Sequence, residues 1–234
     1  MKFPWTRPNL SSRVGGLKKS RYLRGRPRLA LPPASWIQPK YPTMDGVAWI
    51  QAKTQDQGQT SECGPYGVMR FCSAVRYRNG GVSDDSSYDP HKLYVDTGAA
   101  PDEGTTLESC YDTAIRDSWL APGSTVLDID SFDGAAFMLP KCTYLWVGIQ
   151  VTDKWASIGG NGVLASGGKP IGGHFVLAVG CKPDWILVLT NWGQFGLQLN
   201  GVYGYIWIHR TEFEAQLMDV HAIYVDLGEG KIGI

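Results

Sequence analysis

The spacing of apolar residues changes near residue 120, and this change restricts the chain to folds that join a helical part to a β part. After Cys63, apolar residues recur at intervals of three and four until Asn79-Gly80-Gly81 interrupts them, as in an amphipathic helix. Asp89-Pro90 has the form of an N-cap with proline in the first turn. Thr105-Thr106-Leu107-Glu108 has the spacing of a capping box. Residues 63–120 are therefore predicted to be mainly helical.

The second half of the chain has short runs that are rich in β-branched and aromatic residues and are separated by Gly, Asn, Pro and Asp. Runs of this length and composition indicate antiparallel strands. The predicted strands are Tyr144–Val151, Phe175–Val179, Trp185–Leu189, Val202–Ile208 and Ala222–Val225. The fold class predicted from these two halves is α+β, with an antiparallel sheet or barrel following the helices.

The N-terminal segment differs from both halves. Residues 1–40 contain ten Lys or Arg and no acid, and prolines are scattered through residues 1–44. We therefore predict an extended basic arm at residues 1–43 and a folded domain at residues 44–234. The arm is either a solvated tail or a segment held by its own domain, by a neighbouring subunit or by nucleic acid. Nucleic acid fits the charge, but no base-reading motif accompanies it.

The cysteines do not indicate a disulfide framework. Five are present, an odd number, and no two are spaced as C-x-x-C, so neither a set of disulfides nor a zinc site is expected. We expect no metal and no cofactor. No apolar run approaches the ~20 residues that span a bilayer, and the N-terminus lacks the apolar core of a secretion signal. A cytoplasmic or virion-associated protein without membrane contact is the expectation.

Cys63 is the candidate nucleophile because it lies where a loop rich in turn formers becomes a helix. A helix start favours a thiolate over a thiol and lowers the pKa of the cysteine. The alternative is a buried, inert cysteine, since free cysteines are often buried. A cysteine nucleophile needs a base, and His174, which opens the predicted strand at Phe175–Val179, is the candidate. The alternative for His174 is a structural histidine at a strand end.

Several motifs, in this order along the chain, resemble those of papain-like cysteine peptidases. They are Asp56-Gln57-Gly58 with Cys63, then Gly173-His174-Phe175, then Asn191-Trp192-Gly193, and finally Gly204-Tyr205-Ile206. Asp102-Glu103-Gly104-Thr105 is similar to the bacterial and viral branch of that family. The resemblance covers roughly residues 42–210. It implies a two-lobed fold, with a helical lobe at about residues 63–130 and a barrel-like β lobe at about residues 140–234.

The resemblance also implies catalytic roles. Cys63 would be the nucleophile, and His174 would take its proton and later protonate the leaving amine. Gln57, six residues before Cys63, would donate its side-chain amide to the oxyanion together with the backbone N–H of Cys63. The resemblance implies that Gly104 pairs with the substrate backbone.

The residue that orients the His174 ring has two candidates. The resemblance implies Asn191, with Trp192 shielding the hydrogen bond and bordering the substrate site. A gapless alignment from His174 instead places Thr190 at that position, and its hydroxyl could accept from the ring. A one-residue slip in a strand turns a side chain to the opposite face. The family pattern also lacks a carboxylate where this chain has Glu62, which would oppose thiolate formation beside Cys63.

Two functions follow from these residues. The first is a cysteine peptidase that hydrolyses peptide or isopeptide bonds through a thioester on Cys63, acting on peptide or protein substrates. The second is a weak or inactive structural protein of the same fold, for example a virion component, whose arm at residues 1–43 binds neighbouring subunits. The arm could also be an inhibitory pro-segment.

Overall fold

The structure is a computed structural model that describes Lys18 and residues 45–50, 54–81, 85–142 and 144–224. Apart from Lys18, the predicted arm lies outside the described residues. Six helices are found in the described part of the chain: α1 Asp45–Trp49, α2 Cys63–Arg78, α3 Pro90–Asp96, α4 Leu107–Arg116, α5 Phe132–Cys142 and α6 Arg210–Gln216. Seven strands are found there: β1 Thr125–Ile129, β2 Leu145–Thr152, β3 Pro170–Lys182, β4 Trp185–Leu189, β5 Leu197–Leu199, β6 Val202–His209 and β7 Leu217–Tyr224.

The seven strands form one antiparallel sheet in the order β1-β7-β2-β3-β4-β6-β5. The long strand β3 lies at its centre, between β2 and β4. Its residues from His174 to Cys181 are buried, as expected for a strand that is covered on both faces. His174 therefore lies in the buried part of the central strand.

Two apolar clusters lie on opposite faces of this sheet. One contains α5 and α6 residues together with residues of β2, β3 and β4 such as Val147, Val176 and Val188. The other contains residues of α2, α3 and α4 together with alternate sheet residues such as Trp146, Phe175 and Leu187. Because strand side chains alternate between faces, the same three strands contribute to both clusters. The helices α2 to α4 are thereby fixed against the face that carries Phe175.

Helix α2 contacts the sheet closely because it carries a glycine at the contact. A Cβ on Gly67 would lie 2.0 Å from Cε1 of Phe175, so no larger residue fits unless the ring moves. The Phe175 ring is itself enclosed, with a centroid 5.5 Å from that of Trp146 in an edge-to-face arrangement. This contact brings the N-terminal turn of α2 to the start of the buried part of β3.

The α+β fold class is confirmed, and several boundaries differ from those predicted. The predicted strand at Phe175–Val179 is part of the longer β3, and Val225 lies outside the described residues. The predicted helical lobe also contains a strand, β1, which pairs with β7. The capping box at α4 starts one residue later than predicted: the N-cap is Thr106 and its partner is Ser109. The Asp89 cap of α3 is confirmed, since its side chain accepts from the backbone N–H of Lys92.

Among the described helices, none has the length and apolar character needed to cross a membrane.

Candidate active site

Cys63 is the first residue of α2, as predicted, and its side chain is fully buried. Burial raises the pKa of the Cys63 thiol to about 12, although hydrogen bonds from the backbone of Phe175, Gly64 and Cys63 itself act in the opposite direction. The expected lowering of this pKa by the helix start is therefore wrong for this conformation, because the loss of water around the sulfur outweighs the backbone dipoles. The hydrogen bond from Phe175 places the thiol beside the residue that follows His174.

His174 is fully buried on β3, and its ring is held on one edge and one face. The Nε2 atom lies 2.6 Å from Oγ1 of Thr190. The indole of Trp192 stacks on the ring, with centroids 4.2 Å apart and an interplanar angle of 26°. The Nδ1 atom has no hydrogen-bond partner among the residues that the structure describes. The ring is thus fixed with Nδ1 available to take a proton.

The structure places Thr190, rather than the predicted Asn191, at the edge of the His174 ring. Thr190 and Trp192 both contact the ring and are two positions apart, which is the spacing of residues on one side of an extended segment. The pairing of Leu177 with Leu189 sets this register between β3 and β4. The backbone carbonyl of Asn191 accepts the N–H of Gln57 at 2.9 Å, so this residue contacts the loop before Cys63 rather than the His174 ring.

Trp192 has the predicted shielding position. Its side chain is 2% exposed and lies edge-on to Trp155 and Phe195 in the core of the β lobe. Burial of this kind keeps water away from the hydrogen bond between His174 and Thr190 and strengthens it. A contact between Trp192 and a substrate stays a prediction.

Gln57 is buried in the loop that leads to α2. Its Nε2 donates to the carbonyl of Thr60 at 2.8 Å, while Oε1 has no partner among the described residues. The hydroxyl of Thr60 donates back to the carbonyl of Gln57 at 2.8 Å. Two reciprocal hydrogen bonds therefore join Gln57 and Thr60. A side-chain amide carries two N–H groups, and the bond to Thr60 uses one of them.

The loop before Cys63 is tied directly to the segment that follows β4. The N–H of Gly193 donates to the carbonyl of Gln55 at 2.9 Å, and Asp56 forms an isolated antiparallel bridge with Trp192. Gly193 has φ +65°, and a Cβ there would lie 2.5 Å from Oδ2 of Asp56. Only glycine fits this position without strain. The nucleophile loop and the ring-holding segment are therefore one connected unit.

Glu62 does not face the thiol, contrary to the expectation from its position next to Cys63. Its carboxylate lies 2.7 Å from Nδ1 of His91 on α3. This hydrogen bond, together with the negative charge of Glu62, raises the pKa of the exposed His91 ring. The Glu62 carboxylate is thus paired with a histidine that the sequence did not indicate as part of the site.

The loop before α4 forms the wall next to the start of α2, and we call residues 100–105 the α4 loop. The hydroxyl of Ser61 donates to the carbonyl of Asp102 at 3.0 Å. A Cβ on Gly64 would lie 2.7 Å from Oγ1 of Thr105. Gly104 is buried within this wall. The predicted pairing of Gly104 with a substrate backbone stays a prediction.

The burial of the Cys63–His174 pair determines its charge state. Burial lowers the pKa of His174 to about 3 and raises that of Cys63, so both side chains are neutral at pH 7 in this conformation. A neutral thiol and a neutral imidazole are the starting state that general-base transfer from sulfur to Nδ1 requires. No group of three or more potential metal ligands occurs among the described residues.

The comparison with protein-family models gave no match, and neither did the comparison with curated protein sequences. Solved structures do match. Xylellain, a cysteine protease from Xylella fastidiosa, is 14% identical, with a TM-score of 0.60 over 89% of this chain and 99% of that chain. Digestive procathepsin L2 from Tenebrio molitor is 16% identical, with a TM-score of 0.70 over 93% of this chain and 79% of that chain. The fold is that of papain-like cysteine proteases.

Procathepsin B S9 from Trypanosoma congolense is also similar, with 13% identity and a TM-score of 0.62 over 90% of this chain and 86% of that chain. These likenesses confirm the two-lobed papain-like fold that the motifs predicted. At such low identities they show the fold alone, because one fold can carry different activities. The bacterial and viral branch stays a prediction.

Proposed function

We propose that this papain-like protein is a cysteine peptidase that hydrolyses peptide or isopeptide bonds through a thioester on Cys63. The observation that carries the proposal is the state of the His174 ring. Nε2 is held by the Thr190 hydroxyl, Trp192 covers one face, and Nδ1 has no partner among the described residues. A histidine buried only for packing would gain nothing from an unpaired nitrogen, since a buried polar atom without a partner costs about 1–3 kcal/mol.

Each step of the reaction moves one proton to or from Nδ1 of His174. Nδ1 of His174 takes the thiol proton as the sulfur of Cys63 attacks the carbonyl carbon of the substrate. The leaving amine then takes that proton from His174, and the C–N bond breaks to leave a thioester. A water molecule, deprotonated by the same nitrogen, hydrolyses the thioester and returns the thiol. The Nε2–H donates to Thr190 throughout, which keeps Nδ1 as the basic nitrogen.

The negative oxygen that develops on the substrate needs donors. We assign this role to the backbone N–H of Cys63, which lies at the N-terminal end of α2 where the helix dipole is positive, and to the second N–H of the Gln57 amide in the loop that leads to α2. The connected loops around Gln57 and Gly193 hold these donors rigidly relative to His174. Rigid donors stabilise the oxyanion without reorganising during the reaction.

The same burial favours the second function, a catalytically weak or inactive protein that serves in assembly. Cys63 and His174 are both inaccessible to solvent in this conformation, so a substrate reaches the sulfur only after the site opens. In that second function the basic arm at residues 1–43 binds neighbouring subunits, and the closed dyad is a structural remnant.

Labelling with a thiol-reactive peptide electrophile distinguishes the two functions. The full-length chain should gain one label per chain by intact mass. Cys63→Ala should abolish the label, and His174→Gln should slow it. Cys72→Ala is the matched control, because Cys72 lies in the same helix and burial also raises the pKa of its thiol. Labelling that persists in Cys63→Ala, or no labelling at all, would contradict the peptidase function.

The role of the arm is tested separately by incubating the purified full-length chain. Release of residues 1–43 by cleavage near Pro42, dependent on Cys63, supports a pro-segment. An arm that stays uncut while the chain sediments as an oligomer supports the assembly function instead.

A further inference from the structure

We propose that Glu103 and the carbonyl of Thr105 form a subsite that holds a basic residue of the substrate, so that peptides with lysine or arginine at this place are preferred. The inference rests on the peptidase function proposed above and names its substrate class. It is drawn from the single arm residue that the structure describes, Lys18, which occupies this place in the free protein.

Lys18 makes two contacts with the α4 loop, one through its backbone and one through its side chain. Its N–H donates to the carbonyl of Thr105 at 2.6 Å. Its Nζ lies 2.6 Å from Oε2 of Glu103. A main-chain hydrogen bond combined with a side-chain pocket is how an extended peptide adds to an exposed edge and is read at the same time. Any extended peptide with a basic residue can make the same two contacts.

The subsite has a rigid frame. The hydroxyl of Tyr94 on α3 lies 2.7 Å from the carbonyl oxygen of Ala100 and 2.5 Å from that of Glu103, which share its single proton, and its ring is buried. The N–H of Glu103 also donates to the carbonyl of Ala100 at 3.0 Å. The backbone of Glu103 is therefore fixed before a ligand arrives, while its carboxylate reaches into solvent. A fixed frame lowers the entropic cost of binding a peptide.

The subsite lies beside the nucleophile. The hydroxyl of Ser61, two residues before Cys63, donates to the carbonyl of Asp102. The hydroxyl of Thr105 accepts from the thiol of Cys110 at 3.3 Å and faces the Cα of Gly64. A peptide chain paired with Thr105 thus lies along the α4 loop, next to the first turn of α2 that begins with Cys63.

The local charge also favours a cation. Asp102 and Glu103 are adjacent and exposed. Burial raises the pKa of Tyr94, and the negative charges of Asp102 and Glu62 raise it further. Lys18 in turn lowers the pKa of Glu103 through the hydrogen bond between them. The carboxylates of Asp102 and Glu103 therefore attract a lysine or arginine of the substrate and repel an acidic residue.

Matched fluorogenic peptides test the subsite in the full-length chain. Each pair carries lysine or norleucine at one of the positions before the scissile bond, so that only the charged group differs. We expect lysine to raise kcat/KM at one position by about two- to fivefold, as for an exposed ion pair. Glu103→Gln should remove this preference. Glu214→Gln, which removes the same charge from α6 on the β lobe, should preserve it.

Binding of the same peptides to the full-length Cys63→Ala variant gives a readout that does not depend on turnover. Fluorescence anisotropy should show tighter binding of the lysine peptide, and this difference should vanish when Glu103→Gln is added. Cleavage without a lysine preference, or a preference that survives Glu103→Gln, overturns the subsite and leaves the peptidase function intact. A Glu103-dependent binding preference without any cleavage overturns the peptidase function alone. Equal binding of both peptides, or no binding, overturns the subsite.

Discussion

Replacing Thr190 by valine removes the hydroxyl that holds the His174 ring and keeps the size of the side chain. The lost contact is the 2.6 Å hydrogen bond to Nε2, between two buried residues. The ring nitrogen cannot turn to water, because the Trp192 indole covers the ring and His174 is fully buried. The variant therefore leaves an unsatisfied donor inside the protein.

The magnitude follows from this burial. A buried donor that loses its partner costs about 1–3 kcal/mol of the free energy of unfolding. The reaction should suffer as well, because the proton is then free to move to Nδ1, which leaves no basic nitrogen toward Cys63. We expect kcat to fall about 10- to 100-fold, less than the full 10²–10⁴ contribution of a positioned base. Thr190→Ser, which keeps the hydroxyl, should restore most of both losses.

Urea unfolding followed by tryptophan fluorescence gives the stability, and the rate of Cys63 labelling as a function of pH gives the reactivity. Thr113→Val is the matched control, since Thr113 is a buried threonine on α4, a helix that carries neither Cys63 nor His174. If Asn191→Leu slows labelling and Thr190→Val does not, the orienting role of Thr190 is refuted. A Thr190→Val variant that behaves like Thr113→Val in both assays refutes it equally.

Three further predictions concern the same site. Burial lowers the pKa of His174 to about 3, so the unfolded state binds a proton that the folded state excludes, and stability should fall as the pH drops from about 6.5 toward 3. Between pH 7 and pH 4, the free energy of unfolding of the wild type, measured with urea, should fall by about 3 kcal/mol more than that of His174→Gln. Gly193→Ala should lose about 1–2 kcal/mol because φ is positive and a Cβ meets Asp56, measured by thermal unfolding. Gly67→Ala should cost about 1–3 kcal/mol by displacing Phe175, and should also slow Cys63 labelling.

Each of these has a clear contrary result. Equal pH slopes for wild type and His174→Gln would show that the ring is not kept neutral by burial. Gly193→Ala with unchanged stability would mean that Asp56 moves aside without cost. A destabilised Gly67→Ala variant that labels at the wild-type rate would show that the position of Phe175 does not control the thiol.

Much of the candidate site could be predicted because motif spacing carries local geometry. The run of apolar residues after Cys63 and the Asn79-Gly80-Gly81 stop predicted the limits of α2, and both are confirmed. The Asp89-Pro90 cap is confirmed for the same reason, since an N-cap depends on a few adjacent residues. The order of the Cys63 and His174 motifs predicted the papain-like fold, which the structural likenesses confirm.

The partner of His174 could not be decided from the sequence, because Thr190 and Asn191 are adjacent and both are hydrogen-bonding residues. Only the pairing of β3 with β4 determines which of them lies on the ring side. The carboxylate of Glu62 shows the same limit. Adjacency to Cys63 suggested repulsion of the thiolate, whereas the position of α3 directs this carboxylate to His91.

The sequence by itself determined the helix start at Cys63, the α+β class and the residue types needed for thiol chemistry, because propensity, capping and motif spacing act over a few neighbouring residues. Only the tertiary structure decided the pKa of the thiol, the neutral state of His174, the partner of its ring and the contact of Lys18 with the α4 loop. Burial depends on what distant segments cover, and hydrogen-bond partners depend on strand register. Neither quantity is contained in the spacing of residues along the chain.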